Sequence, residues 1–173
     1  EYGSGNSSIY WSNKSKDVIS IEHDKEWYEK VKLSLNDNQT LLFKENNNKY
    51  EKSIIKLDKE FDVIIIDGLE MEKLNLPKVD LVAAGGVIQY FGLIPPILTR
   101  LIDLIKVGGL MIFDTISQIE EGKCPSSLAS VQAYSHNTNY VIETAQKFGL
   151  KSVKVSSGSF RKYKSDIFVF KKK

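Results

Sequence analysis

EYGSGNSSIYW (1–11), followed by VISIEHDKEWYEK (18–30), decides how this chain is to be read. Gly3 and Gly5 flank Ser4 in a turn of the kind that tolerates unusual dihedrals and lets a ligand approach the backbone closely. Such a turn follows a β-strand and leads into a helix, here within NSSIYWSN, with Asn6, Ser7 or Ser8 as its cap. No strand precedes it in the sequence, so a first strand is expected before Glu1, missing or trimmed. The run DVISIE (17–22) is predicted as the next strand, and it ends in an acid. Glu22 comes 17 residues after Gly5, near the ~20-residue offset at which an acid meets a ribose. A carboxylate placed there accepts hydrogen bonds from both hydroxyls of a ribose diol. Turn and acid together point to an adenosine-type ligand.

Two observations choose among such ligands. A dinucleotide site wants a third glycine where the helix opens, and the corresponding residue is Ser8. The phosphate-cradling G-x-x-x-x-G-K pattern is also absent. Glu1, just before the glycines, repels a pyrophosphate and suits a cationic ligand carrying an amino group and a sulfonium. A nicotinamide-dependent oxidoreductase is therefore the alternative and not the first choice.

Beyond the opening, short β-branched runs alternate with helical patterns, the signature of βαβ units and a mostly parallel sheet. DKEWYEKVKLSL (24–35) reads as an amphipathic helix with Trp27, Tyr28, Val31 and Leu35 at helical spacing, and Trp11 and Trp27 are expected in the core. TLLFKE (40–45) is the next strand, residues 49–57 a short helix, and FDVIIID (61–67) a strand expected to be buried on both faces. LIPPILTRLIDLIK (93–106) is a helix stopped by Gly108-Gly109, and LMIFD (110–114) is another buried strand ending at Asp114. NYVIETAQKFG (139–149) is a helix closed by Gly149. SVKVSS (152–157) and DIFVF (166–170) lie too close for a parallel crossover, so they are expected as antiparallel neighbours.

One stretch fits less well. VDLVAA (79–84) is strand-like but follows FDVIIID closely. Asp67 and Asp114 are 47 residues apart, long for one strand–helix–strand step, whereas Ala84 and Asp114 are a comfortable 30 apart. Either 69–84 is an insertion carrying its own short strand, which is the preferred reading, or VDLVAA is the sheet strand and FDVIIID sits elsewhere.

The totals bound the rest. At 173 residues, 42% hydrophobic and 27% charged, the chain suits one soluble globular domain over 1–173. A formal charge of +2 gives no electrostatic case for nucleic acid. The local basic cluster FRKYK and KKK reads as a solubilising tail after the last strand. The single Cys124 excludes an internal disulfide and a cysteine-based zinc cage, and it suits a reducing, cytoplasmic setting. No HxH set is present to point to a metal, and no apolar run approaches the ~20 residues that span a bilayer.

The segments EYGSGNSSIYW, VISIEHDKEWYEK, FDVIIIDG and VGGLMIFD together resemble the class I S-adenosylmethionine-dependent methyltransferases, most nearly the small bacterial O-methyltransferases. The resemblance covers nearly the whole chain. It implies an α/β fold, Rossmann-like and doubly wound, with a mostly parallel sheet ending in an antiparallel strand hairpin. It further implies that Glu1, Gly3, Ser4 and Gly5 surround the methionine end of S-adenosylmethionine, with Asn6 beside them among the cofactor-binding residues. Glu22 would hold the ribose, His23 would lie against the ribose or adenine, and Glu45 would approach the adenine amine. Asp67 and Gly68 would border the methyl-transfer pocket. The implied reaction moves a methyl group to an oxygen, or a nitrogen, of a small-molecule or glycan acceptor. Where the nucleophile arrives protonated a base is needed, and Asp67, Asp114 and His136 are the candidates in that order. His136, in AYSHNTN, is expected in a loop facing substrate. The rival from another class is a methyltransferase-like fold that binds without catalysing.

Overall fold

The structure, a computed structural model, describes residues 4, 6–44, 60–66, 77–117, 122–123, 133–160 and 163–173. Glu1, Gly3, Gly5, Glu45, Asp67, Gly68, Cys124 and the helix expected over 49–57 lie outside the described residues. The chain divides into two compact units, Glu1–Glu60 with Ile66–Leu76, and Phe61–Ile65 with Pro77–Lys173.

In the first unit the order is α1 (Asn6–Ser12), β1 (Val18–Glu22), α2 (Lys25–Lys32) and β2 (Gln39–Phe43). All five residues of β1 are buried, the polar Ser20 and Glu22 along with the apolar Val18, Ile19 and Ile21, and β1 pairs in parallel with β2 from Val18↔Gln39 to Glu22↔Phe43. Helix α1 starts at Asn6, so Ser7 and Ser8 fall inside it and do not cap it. Ser8 is buried and accepts a hydrogen bond from Ser20 of β1, Oγ to Oγ 3.3 Å. The asparagines near 36–38 have structural work: Asn36 Nδ2 donates to Ser12 Oγ (2.6 Å), and Asn38 Nδ2 to the carbonyls of Ser12 (2.8 Å) and Ser15 (3.0 Å). They fasten the end of α1 and the turn after it. Asp24 caps α2 by accepting from the Trp27 N–H at 2.9 Å, and Tyr28 packs on Phe43 at 5.4 Å between ring centroids. Trp27 departs from expectation: 45% of it is exposed, because the helical stripe it starts buries Val31 while its own position lies at the first turn.

In the second unit the elements are β3 (Val63–Ile66, of which Ile66 is counted with the first unit), β4 (Val79–Ala84), a 3₁₀ turn at Ile88–Tyr90, α3 (Ile94–Asp103) and β5 (Ile105–Ser117). β6 (Gly122–Lys123), β7 (Tyr134–His136), α4 (Thr138–Lys147), β8 (Leu150–Phe160) and β9 (Tyr163–Lys172) complete it. The strand order is β3-β4-β5-β7-β6, with β9 also paired to β5, and β8 paired to β9. β4 and β7 run parallel to β5, while β5–β9, β8–β9 and β6–β7 are antiparallel. The expected closing hairpin is therefore present, and the expected fold class is the one found.

VDLVAA corrects the preferred reading. It is no strand of an insertion but the sheet strand beside β5, with Val79, Val82 and Ala84 buried. The 30-residue step to Asp114 is the crossover that fits helix α3, and Val63–Ile66 of FDVIIID joins the same sheet on the other side of β4. In β3 only Ile64 and Ile66 are fully enclosed, and Val63 and Ile65 are half-buried, so that strand is not covered on both faces as expected.

Helix α3 buries Ile94, Ile97, Leu98, Leu101 and Ile102, one continuous stripe at helical spacing. Gly108-Gly109 does not stop this helix, which ends at Asp103. The pair lies instead in an irregular part of β5, where 106–109 bulge opposite Asp80 of β4. The core centres on Phe113, Phe168 and Phe170, whose rings stack at 5.3, 5.7 and 5.9 Å between centroids. Each such pair adds ~0.5–1.5 kcal/mol beyond its buried area. The basic C-terminal run is part of β9 and is no loose tail: Lys172 Nζ donates to the carbonyls of Ile102 (2.8 Å) and Ile105 (3.0 Å), closing the end of α3.

Candidate functional site

Glu22 is the last residue of β1 and only 4% exposed. Burying a carboxylate requires donors, and the surrounding backbone supplies them. Oε1 accepts from the N–H groups of His23 (2.8 Å) and Asp24 (2.9 Å), the turn that leads into α2. Oε2 accepts from Ser4, through its N–H at 3.1 Å and its hydroxyl at 2.9 Å. The Ser4 carbonyl in turn accepts from the Trp27 indole N–H at 2.6 Å. His23 is exposed, with Nδ1 3.4 Å from Glu22 Oε1. The structure thus brings Ser4, Glu22 and His23 of the expected set together around one buried carboxylate. Asn6 opens α1, close in sequence to Ser4. Trp27 is the member sequence reading missed; its signal was its place three residues after the capping Asp24, where a large side chain stands at the N-terminal turn of α2.

In the second unit the carboxyl ends of β4 and β5 meet, the edge where open α/β sheets place ligands. Gly86, just after β4, adopts φ +68°, a conformation glycine reaches without strain, and its N–H donates to Asp114 Oδ1 at 2.6 Å. Asp114 is half-buried. It does not end its strand as expected, because β5 continues to Ser117 through pairing with both β9 and β7. His136 is the larger correction. It lies on no loop facing substrate: it closes β7 opposite Ser117 of β5 and is fully buried. Tyr134–His136 has no run of apolar residues to announce it, so strand pairing is what draws the segment inside.

A second buried carboxylate sits deeper. Asp166 of β9, opposite Thr115 of β5, is 1% exposed. Its Oδ1 accepts from Ser157 Oγ of β8 at 2.6 Å, and its Oδ2 from the Thr138 hydroxyl at the start of α4. The Ser117 hydroxyl approaches the same carboxylate without closing a hydrogen bond of ordinary geometry. Burial pushes the Asp166 carboxyl up, but these hydroxyls and the charge of Lys164 together outweigh it and hold the group below its ordinary value. Among the described residues no group of three or more His, Cys, Asp or Glu is placed to hold a metal ion. Among them, too, no helix is long and apolar enough to cross a membrane.

No protein-family model matches the sequence, and no curated protein matches it. Solved structures do. A protein from Listeria monocytogenes assigned as an S-adenosylmethionine-dependent methyltransferase superposes with TM-score 0.61 at 14% identity, over 95% of this chain and 84% of the other. The magnesium protoporphyrin IX methyltransferase of Synechocystis, with S-adenosylhomocysteine bound, gives TM-score 0.61 at 14% identity over 96% and 68%. The Burkholderia thailandensis 1,6-didemethyltoxoflavin-N1-methyltransferase, with that substrate and S-adenosylhomocysteine bound, gives 0.63 at 10% identity over 97% and 66%. The chain has the Rossmann-like fold of the class I S-adenosylmethionine-dependent methyltransferases.

Proposed function

We propose that this chain is an S-adenosylmethionine-dependent methyltransferase acting on an oxygen or nitrogen of a small-molecule or glycan acceptor, in the cytoplasm. The observation that carries the reading is the Glu22 carboxylate, buried at the end of β1 and joined to Ser4 of the glycine turn. Its charge and acceptor oxygens suit a ribose diol on a cationic ligand and disfavour a pyrophosphate. The fold shared with methyltransferases supports the same choice.

When bound, S-adenosylmethionine supplies a methyl group on a cationic leaving group, so the protein's task is alignment and a dry pocket. We assign Glu22 to the ribose and His23 to the ribose or adenine edge. Glu1, Gly3, Gly5 and Asn6 are assigned to the methionine end, Ser4 to the Glu22 carboxylate beside the ribose, Glu45 to the adenine amine, and Asp67 and Gly68 to the transfer pocket. For a hydroxyl acceptor a base must take the proton. Asp67 and Asp114 are the proposed bases, the latter half-buried with one oxygen engaged by Gly86. The burial of His136 argues for a role in the sheet, and we drop it from the bases.

Substituting Glu22→Gln tests the reading by calorimetry. Loss of the charge and one acceptor is expected to weaken S-adenosylhomocysteine binding by ~1–3 kcal/mol, the scale of a charged hydrogen bond. Unchanged affinity would remove Glu22 from the site.

A further inference from the structure

We propose that Ser4 is a placeholder on Glu22, holding the carboxylate positions that a ribose diol takes, so that its hydroxyl sets cofactor affinity by competition. The inference rests on the assignment of Glu22 to the ribose. A carboxylate offers about four lone-pair sites, and among the described residues four hydrogen bonds reach this one: from the N–H groups of His23 and Asp24 to Oε1, and from the N–H and hydroxyl of Ser4 to Oε2. The first two belong to the turn directly after β1 and are fixed by the chain itself. The last two come from one residue, 18 positions away in sequence, and both fall on the same oxygen.

Buried acceptors must be satisfied before and after any ligand arrives. A ribose presents two hydroxyl donors from adjacent carbons, so a diol replaces the two Ser4 donors like for like. A ligand with one hydroxyl replaces half of them, and a phosphate brings no donor and meets a negative charge. Ser4 thereby gives the site a preference for an intact diol. Trp27 reports the exchange, because its indole N–H holds the Ser4 carbonyl at 2.6 Å while nearly half of the residue remains exposed.

The test is calorimetry with S-adenosylhomocysteine on the unsubstituted protein and on Ser4→Ala, with Trp27 emission followed in a Trp11→Phe background. Removing the competing hydroxyl is expected to tighten binding about 3- to 10-fold, the reach of one ordinary hydrogen bond. Saturation is expected to shift Trp27 emission as its partner carbonyl moves. Equal affinity in the two proteins overturns the placeholder role, and weaker binding by Ser4→Ala makes Ser4 a direct ligand instead. Saturable binding with silent Trp27 emission also overturns it. If S-adenosylhomocysteine binds neither protein, the cofactor reading fails first and takes this inference with it.

Discussion

Glu22 and Asp166 are both carboxylates at strand positions with almost no exposed surface, yet their partners differ in kind. Among the described residues three of the four hydrogen bonds to Glu22 come from backbone N–H groups, and the fourth from the hydroxyl of Ser4. Asp166 is held by side-chain hydroxyls from α4 and β8, a knot that joins three elements of the second unit. Its depressed carboxyl has a signed consequence for stability. A group whose folded value lies below its unfolded value stabilises the protein above the unfolded value and loses that contribution as pH falls through the folded one. Asp166→Asn is therefore expected to cost about 1–3 kcal/mol at neutral pH. The difference from the unsubstituted protein should shrink as pH falls below the ordinary carboxylate value of 3.8. Denaturant melts of the two proteins across that range check this; a gap that stays constant into acid would contradict it.

At the scale of elements, the contact of β4 with β5 depends on Gly109. A Cβ there would stand 2.7 Å from Ile105 Cγ2 and 2.9 Å from the Asp80 carbonyl oxygen. Because the carbonyl is backbone, it yields only by moving β4, so Gly109→Ala is expected to lower stability by ~1–3 kcal/mol. Thermal melting reads the loss, and an unchanged melting temperature would show that the bulge absorbs the methyl. The sequence alone named this glycine but misassigned it, since a glycine pair after a helical stripe reads the same whether it ends the helix or lets two strands approach. Period and composition made other elements legible: the buried run of β1, the stripe of α3, and the β8–β9 hairpin, whose short linker forbids a parallel crossover. VDLVAA stayed ambiguous because two strand-like runs competed for one place, and only their shared sheet accommodates both. Tyr134–His136 was invisible, as three residues with a serine and a histidine among them carry no period at all.

For the whole molecule, the sequence reading set Glu22 17 residues after Gly5 as an acid facing a ribose, and the structure joins Ser4 of that opening stretch to Glu22 by two hydrogen bonds. What the spacing did not reveal is that the carboxylate is already satisfied by the chain's own donors, because hydrogen-bond saturation depends on three-dimensional approach. The fold alone hosts many chemistries, so the central claim is the identity of the ligand. The direct measurement is thermal melting of the protein with S-adenosylhomocysteine and, separately, with NADH. S-adenosylhomocysteine at about 100 times its Kd is expected to stabilise the fold by ~2.7 kcal/mol, a rise of several degrees, while NADH leaves the melting temperature unchanged. Stabilisation by NADH with indifference to S-adenosylhomocysteine would contradict the account.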